Sequence, residues 1–171
     1  MAVLPLRYLP DPVLRQKAQR VRVIDAALQR LIDDMIDTMR AHHGVGLAAN
    51  QVGVLLRVCV LEIPEEEEVR VLINPEVVER EGERVVEEGC LSIPGYRGRV
   101  RRSVRVKVKA LDRHGREVRI KAEDNLLAQA LEHEIDHLNG ILYIDRLVSK
   151  DALWRVEEEE EAPAEPPAPS R

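Results

Sequence analysis

The sequence predicts an α+β fold, in which mixed, mostly antiparallel β-strands surround one buried helix and a second long helix lies near the N-terminus. Residues 25–42 and 123–139 have the apolar spacing of helices, whereas the segments between them alternate as strands do. The later helix is apolar on two sides, which places it between layers. Within it, His133 and His137 are four residues apart and project from one face, so we expect this to be a metal-bearing helix.

Composition limits the classes of protein that remain. The 171 residues, 44% hydrophobic and 33% charged, suit one globular domain, and no apolar run is long enough to span a bilayer. A net charge of −5 does not indicate nucleic-acid recognition. The N-terminus lacks the pattern of a signal peptide, so we expect a cytoplasmic protein with reduced cysteines. Many Glu and Arg residues without any Phe indicate either heat adaptation or a GC-rich genome.

The first elements follow from local pattern. Residues 4–24 predict an irregular arm with a short helical turn. The helix at 25–42 is expected to begin at a capping Asp25 and to end at Gly44 in the left-handed conformation. His42 and His43 stand at this helix end, where a carbonyl contact is favoured over a metal role because nothing near them has ligand spacing.

The middle of the chain predicts strands and hairpins. Residues 44–53 contain three Gly, two Ala and two side-chain amides, so their backbone should closely approach something else. A hairpin is predicted around Gly82. The strands are expected at residues 57–63, 69–73, 103–110 and 117–121, with the last two joined by a tight turn.

The two cysteines have different surroundings. Cys59 lies in a predicted strand and is expected to be a buried structural thiol. Cys90 lies in the segment 87–95, which breaks the strand pattern with Gly residues and a Pro-Gly turn. A catalytic metal usually takes three protein ligands, and the helix supplies two, so Cys90 is the best candidate for the third. Glu134, beside the first histidine, can act as a base on water without binding the metal.

The last elements complete the fold prediction. The helix at 123–139 should have the acidic Glu123 and Asp124 at its start and Gly140 just past its end. An extended exit at 141–147 and a terminal helix at 149–156 are expected to follow. Residues 1–156 thus form one predicted catalytic metallohydrolase domain. Residues 157–171, which are Glu-rich and then Pro/Ala-rich, are predicted to be a disordered tail.

Three motifs together resemble those of bacterial-type peptide deformylases, in the order and spacing of that family and over about residues 4–150. They are Gly44-Val-Gly-Leu-Ala-Ala-Asn-Gln51, Glu88-Gly-Cys-Leu-Ser92 and His133-Glu-Ile-Asp-His137. The resemblance implies metal-dependent removal of the N-formyl group from the N-terminal methionine of newly synthesised proteins, with release of formate. It also implies Cys90, His133 and His137 as ligands of one Fe²⁺ per chain, with Zn²⁺, Ni²⁺ or Co²⁺ as substitutes.

The resemblance further implies roles around the metal. Glu134 matches the general base, and Gln51 and the backbone N–H of Leu91 match the donors that stabilise the oxyanion. Substrate-binding positions are implied at Gly44, Val45, Gly46, Gly89, Leu126, Gln129 and Ala130. Gln129 departs from the usual aliphatic residue of the methionine pocket, and either lies at the rim or loosens the preference for methionine. Arg102 is expected to pair with Asp136 and hold the helix, while Glu132 replaces a common Gln without an evident reason.

The implied partners are N-formylmethionyl peptides on nascent chains and the ribosome near its exit tunnel, with no membrane and no direct nucleic-acid recognition. Many relatives end in a helix that in some docks on the ribosome through basic residues, whereas this tail is acidic. Two alternatives stay open. An H-E-x-x-H metallopeptidase would usually take a third His or Glu ligand, which Cys90 argues against. A non-catalytic metal-binding, ribosome-associated protein would tolerate loss of the base, yet Glu134 and Gln51 are both present.

Overall fold

A computed structural model describes residues 2–156, and within them two α-helices and eight strands are joined by turns and short 3₁₀ segments. The predicted disordered tail at 157–171 lies outside the described residues. The helices are α1, Ala26–Ala41, and α2, Leu126–Leu138. The strands are β1 Gly46–Ala48, β2 Val58–Leu61, β3 Arg70–Glu81, β4 Arg84–Cys90, β5 Ile93–Arg102, β6 Arg105–Leu111, β7 Glu117–Glu123 and β8 Leu153–Arg155. The predicted α+β class is confirmed.

A five-stranded antiparallel sheet, in the order β1-β2-β3-β6-β7, separates the two helices. Successive side chains of a strand point to opposite faces, and in β2 this alternation divides the core. Val58 and Val60 pack with α1, whereas Cys59 and Leu61 pack with α2. All four are fully buried, so both faces of the sheet are covered. The prediction that Cys59 is a buried, unpaired thiol is confirmed.

Helix α1 begins as predicted and ends differently. The carboxylate of Asp25 accepts a hydrogen bond from the N–H of Leu28 at 2.9 Å, which caps the first turn. At the other end the left-handed residue is His43, with φ of 56°, so the expectation that Gly44 takes this conformation was wrong. Gly44 instead lies close to Leu91: a Cβ there would be 2.9 Å from its Cδ1, and the leucine side chain would have to shift.

Helix α2 is shorter than predicted at its start. Glu123 pairs with Arg105 as the last residue of β7, and Asp124 turns the chain with φ of 52°. Asn125 is the capping residue, and its side chain accepts from the N–H of Ala128 at 2.9 Å. The acidic residues expected in the first turn therefore belong to the sheet and the turn. The end is as predicted, with Gly140 in the left-handed conformation at φ of 77°.

A second, three-stranded sheet has the order β4-β5-β8, and its strand pairing shows that two predictions were wrong. The chain turns at Gly82, but β3 and β4 belong to different sheets, so the predicted hairpin there is wrong. The segment 87–95, expected to be irregular, is instead a tight hairpin in which Cys90 pairs with Ile93. Backbone pairing is not visible in a run that Gly and Pro interrupt, which is why the pattern was misleading.

The C-terminal part closes the second sheet. Residues Tyr143–Arg146 form a 3₁₀ turn where an extended exit was expected. The terminal helix predicted at 149–156 is wrong, because Leu153–Arg155 pairs as β8 with the free edge of β5. Within residues 2–156, none of the helices has the length and apolar character required to cross a membrane.

Candidate active site

Three side chains from two elements converge between the sheets. Helix α2 supplies His133 and His137, one turn apart, and Cys90 ends strand β4. One ligand atom from each residue lies within 4.8 Å of the other two, and Sγ of Cys90 is 3.4 Å from Nε2 of His137. In the part of the chain that the structure describes, this is the group of three that could hold a metal ion, and His42 and His43 belong to no such group.

Glu88, for which the sequence predicts no role, orients the first histidine. Its Oε1 accepts a 2.7 Å hydrogen bond from Nδ1 of His133, so the other ring nitrogen, Nε2, is free to act as a ligand. Burial raises the pKa of the Glu88 carboxyl, but hydrogen bonds from Arg102 and His133 lower it to about 2. Glu88 is therefore ionised at neutral pH and fixes the orientation of the His133 ring.

The predicted ion pair between Arg102 and Asp136 is present, with Nη1 donating to Oδ2 at 2.8 Å. Arg102 also donates two hydrogen bonds to Glu88, at 2.7 and 2.8 Å. These three side chains are at most 5% exposed. A fourth residue, Arg146, donates a hydrogen bond to each carboxylate oxygen of Asp136, and the sequence does not predict this contact.

Glu134 lies on α2 between the histidines and is 4% exposed. It sits directly against Gly46 of β1, and its Oε1 is buried with no hydrogen-bond partner among residues 2–156. Burial, together with the nearby negative charge of Glu88, raises the pKa of Glu134 to about 7. A carboxyl group with such a pKa can both accept and release a proton near neutral pH.

Gln51 and Leu91 border the same space. Gln51 follows β1 and is 2% exposed; its Oε1 accepts from the N–H of Ala48 at 3.0 Å. Its Nε2 lies 3.1 Å from Oγ of Ser92 and 3.6 Å from Sγ of Cys90. Leu91 is at the tip of the β4–β5 hairpin, next to the cysteine. The structure thus places an amide donor and the hairpin backbone beside the three converging side chains.

These residues open into a cavity of about 500 Å³. The positions at which substrate binding was predicted all line it, namely Gly44, Val45, Gly46, Gly89, Leu126, Gln129 and Ala130. Gln129 lies towards the rim, where its Nε2 donates to the backbone carbonyl of Glu87 at 3.1 Å. Further lining residues, for which the sequence predicts no role, include Tyr96, Arg97 and Val156, and the N–H of Val156 donates to the carbonyl of Gly95 at 2.9 Å.

Glu132, which had no explanation in the sequence, is part of a buried polar contact. Its two carboxylate oxygens accept from the N–H of Ser103 at 2.8 Å and from the Ser103 hydroxyl at 2.7 Å. Arg80 completes the contact with a hydrogen bond of 2.9 Å to the same carboxylate. Glu132 therefore fastens α2 to strand β3 and to Ser103, the residue that follows β5.

The three converging residues fit a divalent cation. A thiolate and two imidazole nitrogens are a donor set that suits Zn²⁺ or Fe²⁺ and leaves a fourth position for water or substrate. Burial lowers the pKa of His133, but hydrogen bonds with Cys90 and Glu88 more than offset this and raise it well above its ordinary value. Burial and the neighbouring charge on His133 keep the pKa of His137 well below its ordinary value. His137 is therefore neutral, and a cation that binds Nε2 of His133 would displace the proton from that nitrogen.

Comparisons with known proteins agree with this geometry. Residues 3–152 match a family model described as polypeptide deformylase. The chain is 54% identical over 165 residues to a peptide deformylase of Dehalococcoides mccartyi strain CBDB1, covering 96% of this chain and 98% of that one. It is 52% identical over 172 residues to one of Thermomicrobium roseum, covering 96% and 97%.

Solved structures extend the comparison to the fold. A crystal structure of a peptide deformylase from Legionella pneumophila superimposes with a TM-score of 0.83 at 50% identity, covering 85% of this chain and 86% of that one. One from Synechococcus elongatus, in complex with actinonin, gives a TM-score of 0.82 at 43% identity, covering 86% and 80%.

Proposed function

The chain belongs to the polypeptide deformylase family, and from that premise we propose which of its residues perform the reaction. The activity is metal-dependent removal of the N-formyl group from the N-terminal methionine of newly synthesised proteins, with release of formate. The observation that carries the assignment of residues is the convergence of Cys90, His133 and His137 within 4.8 Å, beside the buried Glu134.

Cys90, His133 and His137 are the proposed ligands of one cation per chain, Fe²⁺ in the cell, with Zn²⁺, Ni²⁺ or Co²⁺ as substitutes. When bound, such a cation supplies a Lewis acid that makes water a better nucleophile and polarises the formyl oxygen. Support for the choice of a soft or borderline ion comes from the thiolate in the ligand set. Metal analysis of protein purified without oxygen tests it, because the thiolate of an iron site is sensitive to oxidation.

Glu134 moves the proton. Its carboxylate accepts a proton from the attacking water, and the resulting hydroxide adds to the formyl carbon. When the carbon–nitrogen bond breaks, Glu134 returns the proton to the leaving amine of methionine, and formate departs. The pKa of about 7 and the absence of a competing hydrogen bond at Oε1 among the described residues support both roles.

Two donors stabilise the charge that builds on the formyl oxygen. The proposed groups are the side-chain amide of Gln51 and the backbone N–H of Leu91. The amide of Gln51 is held in place, since its Oε1 is bonded to Ala48 and its Nε2 is near Ser92. Fixed donors need no reorganisation during the reaction, and loss of one typically costs about 10²–10³ in rate.

The walls of the cavity select a small acyl group on an extended peptide. The backbone of Gly44, Val45 and Gly46 on one side and Gly89 on the other is proposed to pair with the peptide backbone. The methionine side chain is proposed to enter a pocket formed by Val45, Leu126, Gln129 and Ala130. Because the Gln129 amide is bonded to the Glu87 carbonyl, it presents its aliphatic part to the pocket and its polar end to the rim.

Domain organisation, location and partners complete the proposal. Residues 1–156 are proposed to be one catalytic domain in the cytoplasm, where nascent chains are made, and to act near the ribosomal exit tunnel. The match of the family model to residues 3–152 supports these bounds. An acidic segment at 157–161 does not favour docking through a basic terminal helix. Co-sedimentation with ribosomes at low and physiological salt tests the ribosomal partner.

The decisive experiment measures formate released from formyl-Met-Ala-Ser by anaerobically purified protein. We expect release from the formyl peptide and not from its acetylated counterpart, and loss of release in Glu134→Ala with metal content retained. Equal cleavage of the acetylated peptide, or full activity of the variant, would contradict the proposal. Cleavage of casein without formate release would instead indicate a metallopeptidase.

A further inference from the structure

A continuous path of hydrogen bonds connects His133 to the surface at Arg146. Nδ1 of His133 bonds to Glu88, and Glu88 accepts two bonds from Arg102. Nη1 of Arg102 bonds to Asp136, which accepts two further bonds from Arg146. The three middle side chains are almost completely buried, whereas the side chain of Arg146 is 39% exposed.

The four groups behind His133 are balanced in charge, two carboxylates against two guanidinium groups. Removing one partner from a buried ion pair is costly because the remaining charge is left without compensation. Without Arg146, the only donor on this path that still reaches Asp136 is Nη1 of Arg102. Asp136 would then compete with Glu88 for the other nitrogens of the same guanidinium group.

This competition reaches the metal site through a single atom. Oε1 of Glu88 accepts both from Nη2 of Arg102, at 2.8 Å, and from Nδ1 of His133, at 2.7 Å. A movement of Arg102 towards Asp136 therefore releases the oxygen that orients the His133 ring. Groups that orient a metal ligand in this way affect how tightly the metal is held.

We propose that Arg146 is a positioning residue for the metal site. By binding both oxygens of Asp136, it keeps Arg102 hydrogen-bonded to Glu88, and Glu88 in turn holds the ring of His133 in its orientation. This inference rests on the proposed role of His133 as a metal ligand. The contact is a fork, with Nε 2.6 Å from Oδ2 and Nη2 2.9 Å from Oδ1. Arg146 therefore supplies two hydrogen bonds in a fixed geometry as well as a positive charge. Lysine supplies the charge but cannot reproduce that geometry.

The test compares Arg146→Ala and Arg146→Lys with Arg101→Ala. Arg101 borders the same surface cleft, but its ion pair is with the exposed Glu83 and not with Asp136. Its removal therefore takes one positive charge from the cleft, as removal of Arg146 does, and leaves the hydrogen bonds between His133 and Arg146 in place. Each protein is loaded with Co²⁺, and two quantities are measured: the visible absorption spectrum of the bound cobalt and the rate of its transfer to a chelator.

We expect both Arg146 variants to lose cobalt about three- to tenfold faster than the parent protein, with a changed absorption spectrum, and Arg101→Ala to match the parent within about twofold. Parent-like cobalt release in Arg146→Ala would overturn the proposal. Parent-like behaviour of Arg146→Lys beside a defective Arg146→Ala would show that charge alone acts, and would overturn the geometric role. Failure of the parent protein to bind cobalt would overturn the proposed metal site itself.

Discussion

At the scale of single residues, Gly46 shows how closely the sheet approaches the proposed base. A Cβ at this position would lie 2.5 Å from Oε2 and 2.9 Å from Cδ of Glu134. Cγ of Glu134 would lie only 3.0 Å away as well, so the carboxylate could avoid such a Cβ only by leaving its place beside Gly46 for the cavity that it lines. The absence of a side chain at residue 46 is thus a requirement of the base rather than of the backbone conformation.

Replacing this glycine tests the placement of the base. In Gly46→Ala we expect the rate of formate release to fall by about 10²-fold, because a displacement of about 1 Å at a reacting group has effects of that size. Metal content and the midpoint of thermal unfolding are measured alongside. Gly89→Ala is the matched control in the same cavity: it keeps the backbone groups proposed to pair with the peptide, and its Cβ would lie 3.1 Å from Nη1 of Arg97 and 3.4 Å from the backbone oxygen of Tyr96, away from Glu134. Equal activity of the two variants would contradict the argument.

Sequence could reveal some of these residues and not others. The four-residue spacing of His133 and His137 places them together on any helix, so local geometry was enough. Glu88 contacts His133, which is 45 positions away in the chain, and Arg146 contacts Asp136, which is 10 positions away. No local pattern predicts such contacts. Even Arg102 was identified only through the family resemblance.

At the scale of elements, the helices were predictable because their periodicity and caps are local, whereas strand partners are not. β4 and β3 are neighbours in the chain but pair in different sheets, since their partners are decided by packing across the molecule. Loss of the cap should have different consequences in the two helices. Asp25 caps α1, which carries no proposed ligand, and Asn125 caps α2, which carries two.

Removing each cap separates stability from metal binding. Both Asp25→Ala and Asn125→Ala are expected to lower the free energy of unfolding by about 0.5–2 kcal/mol, the usual cost of a lost helix cap. We expect only Asn125→Ala to release metal faster, because fraying of α2 loosens the helix that holds both histidines. Urea unfolding and chelator-driven metal release provide the two measurements. Equal metal release by the two variants would show that α2 is held by its packing alone.

At the scale of the whole molecule, the metal site joins the two sheets. Cys90 ends a strand of the three-stranded sheet, whereas the histidines lie on α2, whose apolar side packs on the five-stranded sheet. The cysteine and His137 are 47 positions apart in the chain. A ligand that binds only the folded state stabilises it by mass action, so an ion held between these parts should stabilise the whole fold.

Metal removal should therefore lower the temperature of unfolding. At a free metal concentration about 100 times the dissociation constant, the expected stabilisation is about 2.7 kcal/mol. Scanning calorimetry of the protein with Zn²⁺ and after chelation measures it. In Cys90→Ser the difference between the two states should shrink strongly, because the thiolate is lost. An unchanged unfolding temperature after complete chelation would show that the two sheets hold together without the ion.

The position of Val156 has a practical consequence for following the enzyme at work. Val156 lines the cavity and is fastened to Gly95 by a backbone hydrogen bond. The residue before it, Arg155, is exposed and pairs with Tyr96 of β5, which also lines the cavity. A small fluorophore attached at position 155 would lie beside the opening of the cavity without replacing any residue proposed to touch the substrate, and its emission could report each peptide as it arrives and leaves.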